Sequence, residues 1–201
     1  MGAAYLFVND RALVKNYVDT QGDLSRIRIA VMDTDPAQLE LVNLVGSSSV
    51  STSIAEMYQK FNLGLVDVTY GPAVVYEAME LYKGMQNKGG VIQFPVAQLS
   101  LQLLIHKDRF PEGYGQKSRE YTLAEFDKAI QRAKNYEDRI APERWISISE
   151  EEQFRYHEMY RKVRLSLRNK GIYDWKMLKL MSSVRCKKNP QLLECTADDR
   201  E

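Results

Sequence analysis

Two carboxylates two residues apart, Asp33 and Asp35, directly follow the apolar run "IRIAVM". A carboxylate pair at a strand's end is the arrangement that divides into a general acid and a general base. Asp35 has a simpler task. It precedes Pro36, which suits the first position of a helix, and an aspartate at the N-cap satisfies that helix's unbonded amides. Asp33 then reads as a turn residue. Other catalytic groupings fail one by one. Ser47, Ser48 and Ser49 lack the GxSxG setting of a nucleophile elbow. His106 and His157 have no nucleophile beside them in the sequence. There is neither a GxGxxG turn nor a P-loop. The reading is a non-enzyme without a cofactor.

Cys186 and Cys195 flank "KKNPQLLE". Two readings stay open. They are thiols on a tail, or they close a short loop whose turn Asn189-Pro190 favours. A bridge of that span stabilises by roughly 2–3 kcal/mol and needs an oxidising compartment. A metal site is not indicated, because no CxxC pair exists and both histidines lie far along the chain.

Composition narrows the class. The chain has 201 residues, 44% hydrophobic and 27% charged, which is ordinary for a soluble domain with a real core. With 28 basic and 27 acidic residues, there is no global field to steer nucleic acid. The basic stretch "RYHEMYRKVRLSLRNK" reads as one solvated helix face, so no nucleic acid is expected as a partner. No apolar run approaches the roughly 20 residues of a membrane span. "MGAAYLFVNDR" lacks a basic n-region and a cleavage pattern, so it reads as a strand rather than a signal peptide.

The elements that position these residues alternate at first. Strands are expected at 3–9, 27–32, 65–69, 91–94 and 98–106, with a loop or short strand at 47–52. A polar link containing Gly22 joins the first two. Helices are expected from Pro36 to Val45, ended by Gly46, and from a Ser53/Glu56 capping box to Asn62. Another runs from Pro72 to Gly84. Beyond Pro111 the chain turns helical. A Thr122/Glu125 capping box opens a helix to Ile140, a Ser149/Glu152 box opens one through Leu167 that Gly171 ends, and Asp174 caps one to Val184. The segment "LVDVTYGP" places Tyr70 and Gly71 at a strand's carboxyl end before a helix, where open α/β sheets bind ligands.

"GAAYLFVNDRAL", "LSRIRIAVMDTDPAQ", "LVDVTYGPAVVYEAMELYKG", "FPVAQLSLQLLIHKDRFP" and "GIYDWKMLKLMSSVRCKKNPQLLEC" together carry a resemblance that spans nearly all of the chain. The chain resembles the AdeT group of solute-binding proteins, themselves similar to the extracytoplasmic receptors of TRAP transporters. That group is often labelled as RND-type efflux-pump components linked to aminoglycoside resistance. The resemblance implies an α/β fold of the periplasmic-binding-protein type II kind. This chain would then be the second lobe plus the interlobe crossover, with long C-terminal helices. It implies three parts: residues 1–94 as the ligand-binding lobe, 95–121 as a crossover region belonging to an incomplete first lobe, and 122–201 as a helical segment packing on both lobes. It further implies a chain truncated at its N-terminus, and a periplasmic setting despite the missing signal peptide. Expressed from Met1, the chain would be cytoplasmic.

In TRAP receptors an arginine on the strand resembling "RIRIAV" clamps a substrate carboxylate, a task suited to a bidentate guanidinium. A gapless reading puts Ala30 at that position. A second family arginine falls near Tyr5, and a family asparagine falls at Gly71. The remaining substrate-lining candidates are Tyr5, Phe7, Arg28, Asp33, Tyr70, Tyr76 and Gln98. Arg28 is the substitute clamp among them, and Tyr70 the strongest candidate to face a ligand. Aromatic faces with a carboxylate suit a neutral or cationic solute better than an acid. The expected function is capture of a small molecule and its delivery to membrane transporter components. The alternative is a non-binding accessory part of a drug efflux assembly. An apolar strand at 98–106, short of sheet partners, is expected to promote self-association.

Overall fold

A computed structural model of the chain describes residues 2–14, 27–99 and 102–197. The link around Gly22 and the side chain of Arg26 fall outside them. Strand β1 is Gly2–Val8 and β2 is Arg28–Met32. Helix α1 follows at Pro36–Val45, β3 at Ser48–Thr52, α2 at Ile54–Asn62 and β4 at Val68–Pro72. Two short helices come next, α3 at Val74–Ala78 and α4 at Tyr82–Met85, before β5 at Gly90–Ile92 and β6 at Ala97–Leu99. The rest is helical: α5 at Tyr114–Ala124, α6 at Phe126–Glu137, α7 at Glu150–Asn169, α8 at Trp175–Lys188 and α9 at Leu193–Thr196. A two-residue strand, β7, spans Trp145–Ile146.

The strands form one mixed sheet in the order β3-β2-β4-β1-β5-β7, with β6 added to β1. β2 runs parallel to β3 and β4, while β1 runs antiparallel to β4, β5 and β6. Alternation along each strand then sorts the core into two layers. Leu6, Val8, Ile29, Val31 and Val68 meet Val42 and Val45 of α1, and Tyr156 and Met159 of α7. Phe7, Ala30 and Val91 meet Met57, Tyr58 and Phe61 of α2, with Leu81, Met85 and Ile140. The α/β fold class is as the sequence indicates.

The helix signals at α1 hold. Asp35 accepts from the amides of Ala37 at 2.9 Å and Gln38 at 3.4 Å, and Gly46 ends the helix at φ 72°. Ser149 and Glu152 form the reciprocal capping box of α7, and Asp174 accepts from Met177 N at the start of α8.

Four boundaries differ from expectation. β4 lies three residues later than 65–69, because Val68 to Pro72 pair along β1 and Pro72, which has no amide to donate, ends the ladder opposite Ala4. The helix expected over Pro72–Gly84 is split. Asn62 holds the break, its amide donating to Met79 O at 2.9 Å and its carbonyl accepting from Gly84 N at 3.2 Å. Glu80 sits at φ 52° in between. Thr122 is no cap: its hydroxyl bonds back to Ser118 O at 2.8 Å, inside α5, and α6 begins only after Glu125. The strand expected over 98–106 is only Ala97–Leu99. Its pairing reaches Gly2, where β1 ends among the described residues, and residues 102–106 are irregular. Ser53 precedes α2 as expected but makes no side-chain capping bond.

Candidate functional site

The carboxyl ends of β2, β3 and β4 and the amino end of β1 lie along one edge of the sheet. In register, Met32 pairs with Thr52 and Tyr5 with Gly71. Gln98, exposed on β6, pairs with Ala3 on the other side of β1. Tyr5, Asp33, Tyr70 and Gln98 stand along this edge, from four separate strands or strand ends. Tyr70 lies opposite Leu6 and Tyr5 opposite Gly71, so the two phenols leave the sheet by opposite faces.

Each has a defined surrounding. Asp33 accepts a hydrogen bond from Ser51 Oγ of β3. Asp35 is joined by Gln38, whose Nε2 donates to its Oδ2 at 2.6 Å, while Gln38 Oε1 accepts from Met32 N at 2.9 Å. Gln38 thus ties the last strand residue to the helix cap. The Tyr70 hydroxyl is buried and makes no well-formed hydrogen bond among the described residues. Burial first, and then the Asp35 carboxylate, push its pKa up, against a smaller opposing pull from Gln38. Tyr173, in the turn between α7 and α8, is raised likewise by burial and by Asp35. Tyr5 donates to Glu137 Oε1 at 2.9 Å and sits edge-on to Trp145 at 5.2 Å. Burial and Glu137 together push the Tyr5 phenol up.

The other candidates lie elsewhere. Phe7 is wholly buried, and Tyr76 packs in the same core layer with its ring edge-on to Tyr82 at 5.9 Å. Arg28 stands at the opposite end of β2. Its Nε and Nη2 reach Asp67 at 3.0 and 2.7 Å, and Nη2 also donates to Gly64 O at 2.9 Å. Ala30 is fully buried beneath α2. A Cβ at Gly71 would stand 2.8 Å from Tyr58 Oη and 2.9 Å from Val75 Cγ2, so the turn admits nothing larger without movement. Cys186 and Cys195 form a disulfide with their Cα atoms 5.6 Å apart.

Sequence reasoning missed Gln38, Ser51, Tyr173 and Glu137. Gln38 carried a signal, since Asp followed three residues later by Gln is a capping-box spacing. Glu137 carried none, because it meets Tyr5 across 132 positions of chain. Chemically, the edge offers carboxylates (Asp33, Asp35 and Glu137) and phenol rings. Neither a cluster of metal-ligating residues nor a helix long and apolar enough to cross a membrane occurs among the described residues.

The sequence model of the solute-binding protein AdeT 1/2 family matches residues 1–200. The chain belongs to the AdeT 1/2 family. "Probable solute-binding protein AdeT1" of Acinetobacter baumannii is 38% identical over 199 residues, covering 99% of this chain and 64% of the relative. "Probable solute-binding protein AdeT2" of the same organism is 27% identical, covering 84% of this chain and 71% of the relative. The chain thus spans slightly under two thirds of the length of AdeT1.

Among solved structures with this fold are TRAP periplasmic solute-binding proteins. One from Desulfovibrio salexigens, with bound orotic acid, aligns at a TM-score of 0.60 and 15% identity over 92% of this chain and 60% of that one. Another from Haemophilus influenzae, with bound L-gulonate, aligns at 0.63 and 16% identity over 87% of this chain and 56% of that one. The AdeT chain therefore shares its fold with receptors whose bound ligands in these two cases are organic acids.

Proposed function

We propose that this AdeT-family chain is a binding lobe that captures a small solute at the sheet edge formed by Asp33, Tyr70 and Tyr5. It would hand the solute to membrane transporter components in the periplasm. Residues 1–94 would form the binding lobe, 95–121 the crossover region and 122–201 the helical segment. Binding, not catalysis, is its task. The observation that carries the reading is the chemistry of the edge: carboxylates and phenols gather there, while Arg28 is held at the far end of β2 by Asp67. A neutral or cationic polar solute fits that lining, because aromatic faces and carboxylates both attract positive charge. Arg28, the substitute clamp for a dicarboxylate, is turned away from this edge.

A thermal-shift screen tests this. A ligand at a hundred times its Kd stabilises a protein by about 2.7 kcal/mol. Amines, sugars and aminoglycosides should raise the melting transition, and dicarboxylates should not. If none of these classes moves it, the receptor reading falls. The second reading, a non-binding accessory part of a drug efflux assembly, would then gain. The engagement of both Tyr5 and Arg28 by internal partners favours it. Self-association through the exposed β6 strand belongs to the same proposal, and size-exclusion chromatography over a concentration series decides it. A monomer at every concentration removes it.

A further inference from the structure

The C-terminal turn is fastened twice at the same spacing. Arg185 and Cys186 are neighbours on α8, and Glu194 and Cys195 are neighbours on α9. Cys186 bonds Cys195, nine positions on. Arg185 bonds Glu194, also nine positions on, with Nε to Oε1 at 2.6 Å and Nη2 to Oε2 at 2.9 Å. Arg164 of α7 adds a third hold on Glu194 Oε2, at 3.3 Å. Four residues of helix do not sustain themselves. α9 keeps its place because the disulfide and the ion pair act side by side.

We propose that Cys186–Cys195 is a redox modification site whose reduction releases Glu194 from Arg185 and Arg164. Glu194 is only 6% exposed, so its burial as a carboxylate depends on those guanidiniums staying aligned with it. Both cysteines are partly exposed, and so open to a reductant. Arg185, Lys187 and Lys188 surround Cys186 in sequence, and positive charge there favours the Cys186 thiolate as leaving group. The reductant is a dithiol. One thiolate attacks a sulfur of the bridge, the protein S–S bond breaks, and the second thiol closes the reagent's own disulfide. Two electrons and two protons pass to Cys186 and Cys195, which become thiols. Opening the bridge restores the freedom of the ten-residue loop, and the four-residue α9, no longer cross-linked, carries Glu194 away from Arg185 and Arg164.

His157 of α7 reports the change. It packs edge-on against Phe94 at 5.1 Å. The charged groups that act on it are Glu194 and Glu158, which favour its protonated form, and Arg164 and Arg185, which oppose it. Burial already lowers its pKa, and loss of Glu194 must lower it further.

The test is an NMR titration of the His157 ring in the full chain. It is run oxidised, after dithiothreitol in native buffer, and as Glu194→Gln in both states. We expect two thiols to become alkylatable on reduction while the circular dichroism stays that of the folded chain. We expect the His157 pKa to fall on reduction, and reduction to leave it unmoved in Glu194→Gln. A Cys186→Ser/Cys195→Ser double variant should titrate like the reduced chain. Resistance of the bridge to dithiothreitol short of unfolding overturns the proposal. So does a His157 pKa that is the same with and without the bridge.

Discussion

Asp67 grips Arg28 by both main chain and side chain: Oδ2 accepts from the Arg28 amide at 2.9 Å and from Nε at 3.0 Å, while Oδ1 accepts from Nη2 at 2.7 Å. Asn9 completes the set by donating to Asp67 Oδ1 at 3.0 Å. The carboxylate thus joins the start of β2 to the end of β1. A guanidinium held this way is a structural tie.

The two partners should differ in cost. The Arg28 side chain is 43% exposed and that of Asp67 only 15%. Solvent screens the pair from the arginine side, so Arg28→Ala should cost about 1 kcal/mol. Asp67→Ala strands the Arg28 amide and the Asn9 side chain as well, and should cost about 2–3 kcal/mol. Urea unfolding of both variants measures the difference, and the reverse order would show that the tie is anchored elsewhere.

Acid should loosen the fold through two carboxylates. Burial alone would raise the Asp67 carboxyl, but the bonds from Arg28 and Asn9 outweigh it and hold the pKa below its usual value. Glu194 is lowered in the same way, its burial outweighed by Arg185 and Arg164. A depressed folded-state pKa gives stability that is present above the unfolded value, roughly pH 4, and lost as pH falls through the folded value. Denaturant midpoints should therefore fall slightly as pH drops below about 6.5, where unfolding lets the buried His157 take up a proton, and more steeply below about pH 4 as the two carboxylates protonate. Asp67→Asn should flatten part of that fall.

Placing at Ala30 the arginine that the family resemblance leads one to expect there should not create acid binding. Ala30 is fully buried. Ala30→Arg would place an uncompensated charge in the core, at a cost of roughly 3–5 kcal/mol. Gly71→Asn meets Tyr58 and Val75 at under 3.0 Å and should cost about 1–3 kcal/mol. Calorimetry with a dicarboxylate and a melting curve on each variant check both points. A stable Ala30→Arg chain that binds the acid would refute the account of this strand.

Two serines at helix starts look alike in sequence and should behave differently. Ser149 accepts from Glu152 N at 3.2 Å and Ser53 makes no such bond. Ser149→Ala should lose about 1 kcal/mol and Ser53→Ala a few tenths at most. Thermal melts of the pair decide it.

What the sequence disclosed follows a physical line. Local signals were legible where the determinant lies within a few residues: the Asp35-Pro36 start and Gly46 stop of α1, the Ser149/Glu152 box, the Asp174 cap. Alternation found β1 and β2. Signals failed where a distant partner decides. β4 was misplaced because its register is set by β1, and the helix after it was broken by the side chain of Asn62. At the candidate site, the place of Asp33 just after β2 was legible, whereas Tyr70, expected after a strand, lies within β4. The partners that occupy Tyr5 and Arg28 were not, because Glu137 and Asp67 come from 132 and 39 positions away.

The antiparallel placement of β1 also governs the order of assembly. Its neighbours are residues 68–72, 90–91 and 97–99, all far downstream. On a ribosome adding roughly 5–20 residues per second, the first strand waits several seconds before any of them exists. Until then "GAAYLFV" lacks the pairing partners it has among the described residues. Closing such non-local pairings is slow in any case. Until residues 68–72 are made, β1 is an apolar segment of the kind that a chaperone shields.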